Sequence, residues 1–207
     1  MSSISKNINK HAWSDTFSNI ALVLARGFSS PQEFSEEDLN FLEALDLSPW
    51  RELEQARVPW LAAWQDALET PDATLLAYSQ LFLGPFEIKV SPYASHYIDP
   101  GRRLMGETSQ WVAERYAEAG LEPPADRACD APDHLRLECE FLYYLGYQRT
   151  ANDDEIWDER IKEFLDAHFL QWAPQCVEAV IAADTSEYHR AAAGFFSNWL
   201  TLFEDNK

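Results

Sequence analysis

An all-α fold is predicted by three observations. Apolar residues recur at steps of three and four along most of the chain, proline and small polar start signals punctuate those runs, and no stretch reads as a strand ladder. The 207 residues suit one compact domain, 1–207, without internal repeats, and 46% hydrophobic residues supply a core that disordered or collagen-like chains lack. The expected architecture is a single-domain helical bundle with a long central loop.

Trp13, Phe17, Ile20, Ala21 and Leu24 place one face of a helix over about Lys10 to Arg26, ended by Gly27 and the Ser29-Ser30-Pro31 segment. Ser35 with Asp38 resembles a capping box and opens a short acidic helix through Leu45. Ser48-Pro49 signals the next start, with Trp50, Leu53, Val58, Leu61, Trp64 and Leu68 in register; Pro59, inside that pattern, is expected to break or kink it. Thr70-Pro71 begins a helix that stops at Gly84-Pro85. From Gly84 to Arg103 periodicity fails, and an extended loop of about twenty residues is expected, of the kind that often carries function.

Helical spacing returns with Met105, Thr108, Val112 and Tyr116 and ends at Gly120, followed by a second loop from Leu121 to Asp130. Asp130-Ala-Pro132-Asp133 is a start signal for the helix bearing Leu135, Leu137, Phe141, Leu142 and Leu145. Asp153 is the expected cap of the next helix, with Ile156, Trp157, Ile161, Phe164, Leu165 and Phe169 on its buried side. Two further helices are expected, one after Pro174 and one after Ser186.

Composition narrows function. Lys plus Arg total 16 against 35 Asp plus Glu, a formal charge of -19, so the surface repels nucleic acid and anionic lipid and favours a cationic peptide. The cysteines Cys129, Cys139 and Cys176 are odd in number and widely spaced, which fits a reducing compartment and offers no zinc pair. The apolar run Ile20 to Ala25 is too short for a signal-peptide core, and Ala191 to Phe203 is shorter than the ~20 residues that span a bilayer. A cytoplasmic protein with no transmembrane segment is expected. The five histidines form no HExxH pattern, there is neither GxGxxG nor a P-loop, and no GxSxG elbow occurs. No metal, no cofactor and no catalytic residue is therefore assigned, and a binding protein is favoured over an enzyme.

Three segments stand apart from core patterning: Leu81-Phe-Leu-Gly84-Pro85; Ser91-Pro-Tyr93-Ala-Ser95-His-Tyr97-Ile-Asp99; and Ala131-Pro132-Asp133-His134-Leu135 with Glu138 and Phe141. In order and spacing they resemble the motif series of the TorD/DmsD family, cytoplasmic maturation chaperones of molybdopterin oxidoreductases. Phe164-Leu165 with His168 and Trp172 is similar to that family's C-terminal pattern, so the resemblance spans Leu81 to Trp172. Ala131 stands where the family commonly carries Glu, which removes one carboxylate; Asp130 is the neighbouring substitute.

The resemblance implies a helical fold able to exchange halves between protomers, so a monomer and a domain-exchanged dimer are both open, with a candidate hinge near 120–132. It also implies binding of the twin-arginine leader and the apo-form of a molybdopterin oxidoreductase catalytic subunit before cofactor insertion and export. Such a leader presents an arginine pair beside a greasy segment, so its receptor needs carboxylates next to an apolar groove. The residues assigned to leader and client binding are Tyr93, Ser95, Tyr97, Asp99, Asp133, His134, Glu138 and Phe141. Each also has a structural reading. Asp133 can cap a helix, Tyr93 and Tyr97 can tether the loop, and Ser95 and Asp99 can form turns. Two other classes stay open: an acid-base hydrolase using Asp133, His134 and Glu138, and an acidic adaptor that docks a basic partner by charge alone.

Overall fold

The computed structural model describes residues 15–84, 88–101, 105–122, 131–152 and 154–204. In order, the helices are α1 (Asp15–Gly27), α2 (Glu36–Ala44), α3 (Arg51–Glu69), α4 (Pro71–Tyr78), α5 (Ser95–Ile98), α6 (Glu107–Glu118), α7 (Leu135–Asn152), α8 (Glu155–Phe164), α9 (Leu170–Ala182) and α10 (Glu187–Glu204). Widened π-turns, Ser79–Leu83 and Leu165–Phe169, extend α4 and join α8 to α9. Among the described residues the only strand-like pairing is an isolated antiparallel bridge between Tyr93 and His134. The all-α expectation holds.

The core is built where the periodic faces meet. α1 lies along α7, and α10 packs on α3 and α9. Ile20, Leu24, Trp60, Trp64, Phe195 and Trp199 are all fully enclosed. Gly27 is required for the closest approach, because a Cβ there would sit 2.3 Å from Cζ2 of Trp60. The capping box at α2 forms as expected: Ser35 Oγ accepts from the Asp38 amide and donates to the Asp38 carboxylate. Arg57, reaching across from α3, donates to the carbonyls of Glu43 and Leu45 at 2.8 Å and so satisfies the C-terminal end of α2. Gly120 takes φ 82, and the Leu121 amide returns to the Tyr116 carbonyl to close α6.

Several boundaries differ from expectation. Pro59 does not interrupt α3. It lies on the solvent face, so the carbonyl of Gln55 that loses its donor is in reach of water, while Leu53, Trp60, Ala63, Trp64 and Ala67 hold the helix from the other side. Pro174 likewise falls inside α9, directly after the π-turn, instead of before the helix. Ser48 does not cap α3; it bonds back to Asp46, and Trp50 occupies the cap position. Asp154 caps α8 by accepting from the Ile156 amide, and Ile156 is exposed; Asp153 lies outside the described residues. The loop expected from Gly84 to Arg103 contains the single turn of α5. The candidate hinge near 120–132 falls largely in 123–130, outside the described residues, as do Cys129, Asp130 and Pro85.

Candidate functional site

The segment 88–99 is fastened to the bundle by its backbone. The Val90 amide donates to the Leu81 carbonyl, the Ala94 amide to Asp133, and the Leu135 amide to Pro92 at 2.8 Å. This two-residue ladder brings Tyr93 beside His134, their rings edge-on at 5.0 Å. Tyr97 folds back so that its hydroxyl donates to the Ser91 carbonyl at 2.9 Å. The extended run therefore lies across the start of α7.

Asp133 does not cap α7, the helix directly after it. Its carboxylate crosses to the loop: Oδ2 accepts from the Ser95 amide at 2.8 Å, and Oδ1 from the Ser109 hydroxyl at 2.5 Å. It thus caps α5 from another segment and ties α6 to both. The α7 cap is taken over by His134, whose Nδ1 accepts from the Arg136 amide at 3.1 Å. An amide N–H can only donate, so Nδ1 serves as an acceptor and the ring hydrogen belongs on Nε2. Asp99 plays the same role for α6, where Gly106 offers no side chain. Its Oδ1 accepts from the Thr108 amide and hydroxyl, leaving Oδ2 without a hydrogen-bond partner.

Deeper in the seam, Glu138 is fully enclosed and both oxygens are used. Oε1 lies 2.6 Å from His168 Nε2, and Oε2 accepts from the Trp172 indole at 3.0 Å. Burial pushes its carboxyl above the usual range, opposed by the nearby His168. The Trp172 ring stacks on Tyr97 at 5.8 Å, and Trp111 leans on His168 at 5.2 Å. Phe141 sits between Tyr116, at 4.6 Å, and Phe164. Tyr116 donates to the Pro132 carbonyl, and burial first, then Glu138, raise its phenol well above the ordinary value.

All eight sequence-assigned residues converge on this seam. Ser95, Asp133, His134, Glu138 and Phe141 are buried, while Tyr93, Tyr97 and Asp99 are partly exposed. The sequence missed Ser109, Thr108 and Tyr116 as partners; Thr108 and Tyr116 were visible only as helical spacing and Ser109 was passed over, though a hydroxyl on a buried helix face was the available signal. Asp133 bonds to Ser95 and Ser109, His134 to the Arg136 amide, and Glu138 to His168 and Trp172. No group of His, Cys, Asp and Glu among the described residues could hold a metal ion. Cys139 and Cys176 are buried free thiols, and burial raises both, Cys176 to about 12. Among the described residues, no helix is long and apolar enough to cross a membrane.

The chain and its helical fold have known counterparts. Residues 43–178 match the family model described as nitrate reductase delta subunit. The chain belongs to the TorD/DmsD family. It is 26% identical over 129 residues to the chaperone protein TorD of Aliivibrio salmonicida, covering 60% of each chain. It is also 26% identical over 117 residues to a Tat proofreading chaperone DmsD assigned in Haemophilus influenzae, covering 56% of this chain and 53% of that one. The chain therefore spans little more than half the length of the curated relatives it matches. A crystal structure assigned to redox enzyme maturation in Archaeoglobus fulgidus superposes with a TM-score of 0.57 at 19% identity, covering 90% of this chain and 93% of the other, which shows the fold. These TorD/DmsD relatives are chaperones and not enzymes, in line with the expectation of a non-enzyme.

Proposed function

We propose that this TorD/DmsD-family chain is a cytoplasmic, system-specific chaperone that binds the twin-arginine leader and apo-form of a molybdopterin oxidoreductase catalytic subunit, assisting cofactor insertion and export. The observation that carries the reading is the family match over residues 43–178 in a chain of formal charge -19. A basic leader gains from that field, and the seam between the 88–99 segment, α6 and α7 is where the motif residues meet. Within it, Asp133, His134, Glu138 and Phe141 shape the site from below, and Tyr93, Tyr97 and Asp99 face the leader.

The test is calorimetric titration of the purified chain with twin-arginine leader peptides and full precursors of molybdoenzymes, with arginine-to-glutamine peptides as control. Saturable binding that the control loses supports the reading. Absence of binding to every leader and precursor overturns it. The acidic-adaptor alternative predicts affinity that collapses with salt, whereas seam binding keeps an apolar part.

A further inference from the structure

Resting on that reading, we propose that Asp99 is the carboxylate that receives a leader guanidinium, with the Ser95 hydroxyl as its second acceptor. The acids of the seam are not equivalent. Asp133 and Glu138 are enclosed, and every oxygen they carry already accepts from Ser95, Ser109, His168 or Trp172. Glu140 is paired with Arg136 at 3.2 Å. Asp99 differs: Thr108 holds Oδ1 and thereby aims the carboxylate, while Oδ2 has no partner and no contact with solvent. A second polar atom is orphaned one turn earlier in the chain. Ser95 Oγ is completely buried and also lacks a partner. The Asp99 amide donates to the Ser95 carbonyl at 3.1 Å, so the two side chains lie one turn apart on the same face of α5.

Neither acceptor touches solvent in the unliganded chain, so the leader must part the cover over α5 to reach them; an enclosed carboxylate oxygen without a donor is costly, and a ligand N–H placed there recovers that cost on binding. Two acceptors one turn apart suit a planar fork of N–H groups better than the single point of an ammonium. Ile98, the residue before Asp99, is exposed and supplies apolar contact for the greasy stretch of the leader beyond its arginine pair. Asp133, in contrast, is a positioning residue: through the Ser95 amide it fixes the turn on which Ser95 and Asp99 stand.

The experiment crosses chain variants with leader variants in one titration series. Asp99→Asn keeps an acceptor for Thr108 and removes the charge, so its helical circular dichroism should match the parent. It is expected to weaken leader binding about tenfold or more, and an Arg→Gln leader should lose as much against the parent. Combining the two should add little, because both remove the same contact. Ser95→Ala should lose less in the same direction, and an Arg→Lys leader should bind more weakly than the arginine form. A parent that binds while Asp99→Asn binds equally well, or losses that multiply in full, overturns the assignment and leaves the chaperone reading standing. A parent that binds no leader overturns both.

Discussion

Replacing Asp133 with alanine removes a side chain that joins three segments. The Ser95 amide and the Ser109 hydroxyl, 2.8 and 2.5 Å from its oxygens, both lose their acceptor where water cannot replace it. Hydrogen bonds to a charged group contribute roughly 1.5–3 kcal/mol each, and a stranded buried donor forfeits its desolvation cost, so the expected loss is about 3–5 kcal/mol. For a chain of this size about 2–4 °C of Tm accompanies each kcal/mol, which gives a fall of roughly 6–20 °C. Asp133→Asn retains an acceptor for Ser95 and a donor for the Ser109 oxygen, and should recover more than half of that loss. Thermal unfolding followed by circular dichroism, with urea midpoints as a check, reads both. An alanine variant melting within about 1 °C of the parent would refute the bridging role.

Other expectations rest on single contacts. Gly27→Ala places a Cβ against the Trp60 ring and should cost about 1–3 kcal/mol in a urea titration, whereas Gly194→Ala, with open space around it, should not. Glu138→Ala strands His168 and Trp172 and should destabilise by about 3–5 kcal/mol; with His168 also replaced, the loss should be smaller than the sum of the two, measurable as a double-mutant cycle. His189, buried beside Ser186, is depressed by burial from 6.5 to about 4. The unfolded chain therefore binds the extra proton between those values, so stability falls by roughly 3 kcal/mol as pH drops from 6.5 to 4. His189→Gln should flatten that part of the pH profile.

The helices were legible because their buried faces repeat at helical spacing, as in Ile20 and Leu24 on α1 or Phe141 and Leu145 on α7; on α3 the register was off, since Val58, read as part of the buried face, is exposed and the enclosed Trp60 fell outside the pattern. Prolines misled for a local reason. Pro59 carries a break signal in sequence, yet Gln55, whose carbonyl loses its donor, is exposed, and Pro174 lies inside α9, five residues past the π-turn at 165–169. The motif segments pointed to one site, and they do converge, but the division of labour within it was hidden. That Asp133 would cap α5 and not α7 depends on a contact between residues 38 apart in the chain, which spacing does not encode; with Asp133 so engaged, the α7 cap falls to His134 through a local bond from the Arg136 amide. The orphaned oxygens of Asp99 and Ser95 are visible only once every neighbouring acid has found its partner.

Hydrogen–deuterium exchange of the purified chain, with and without a saturating twin-arginine leader, addresses the functional claim most directly. Slowed exchange should concentrate at the amides of 91–99 and at the start of α7, with α2 and the N-terminal half of α3 unchanged. Protection centred on α2 and α3 instead, or an unaltered pattern at saturation, would contradict a leader site in this seam.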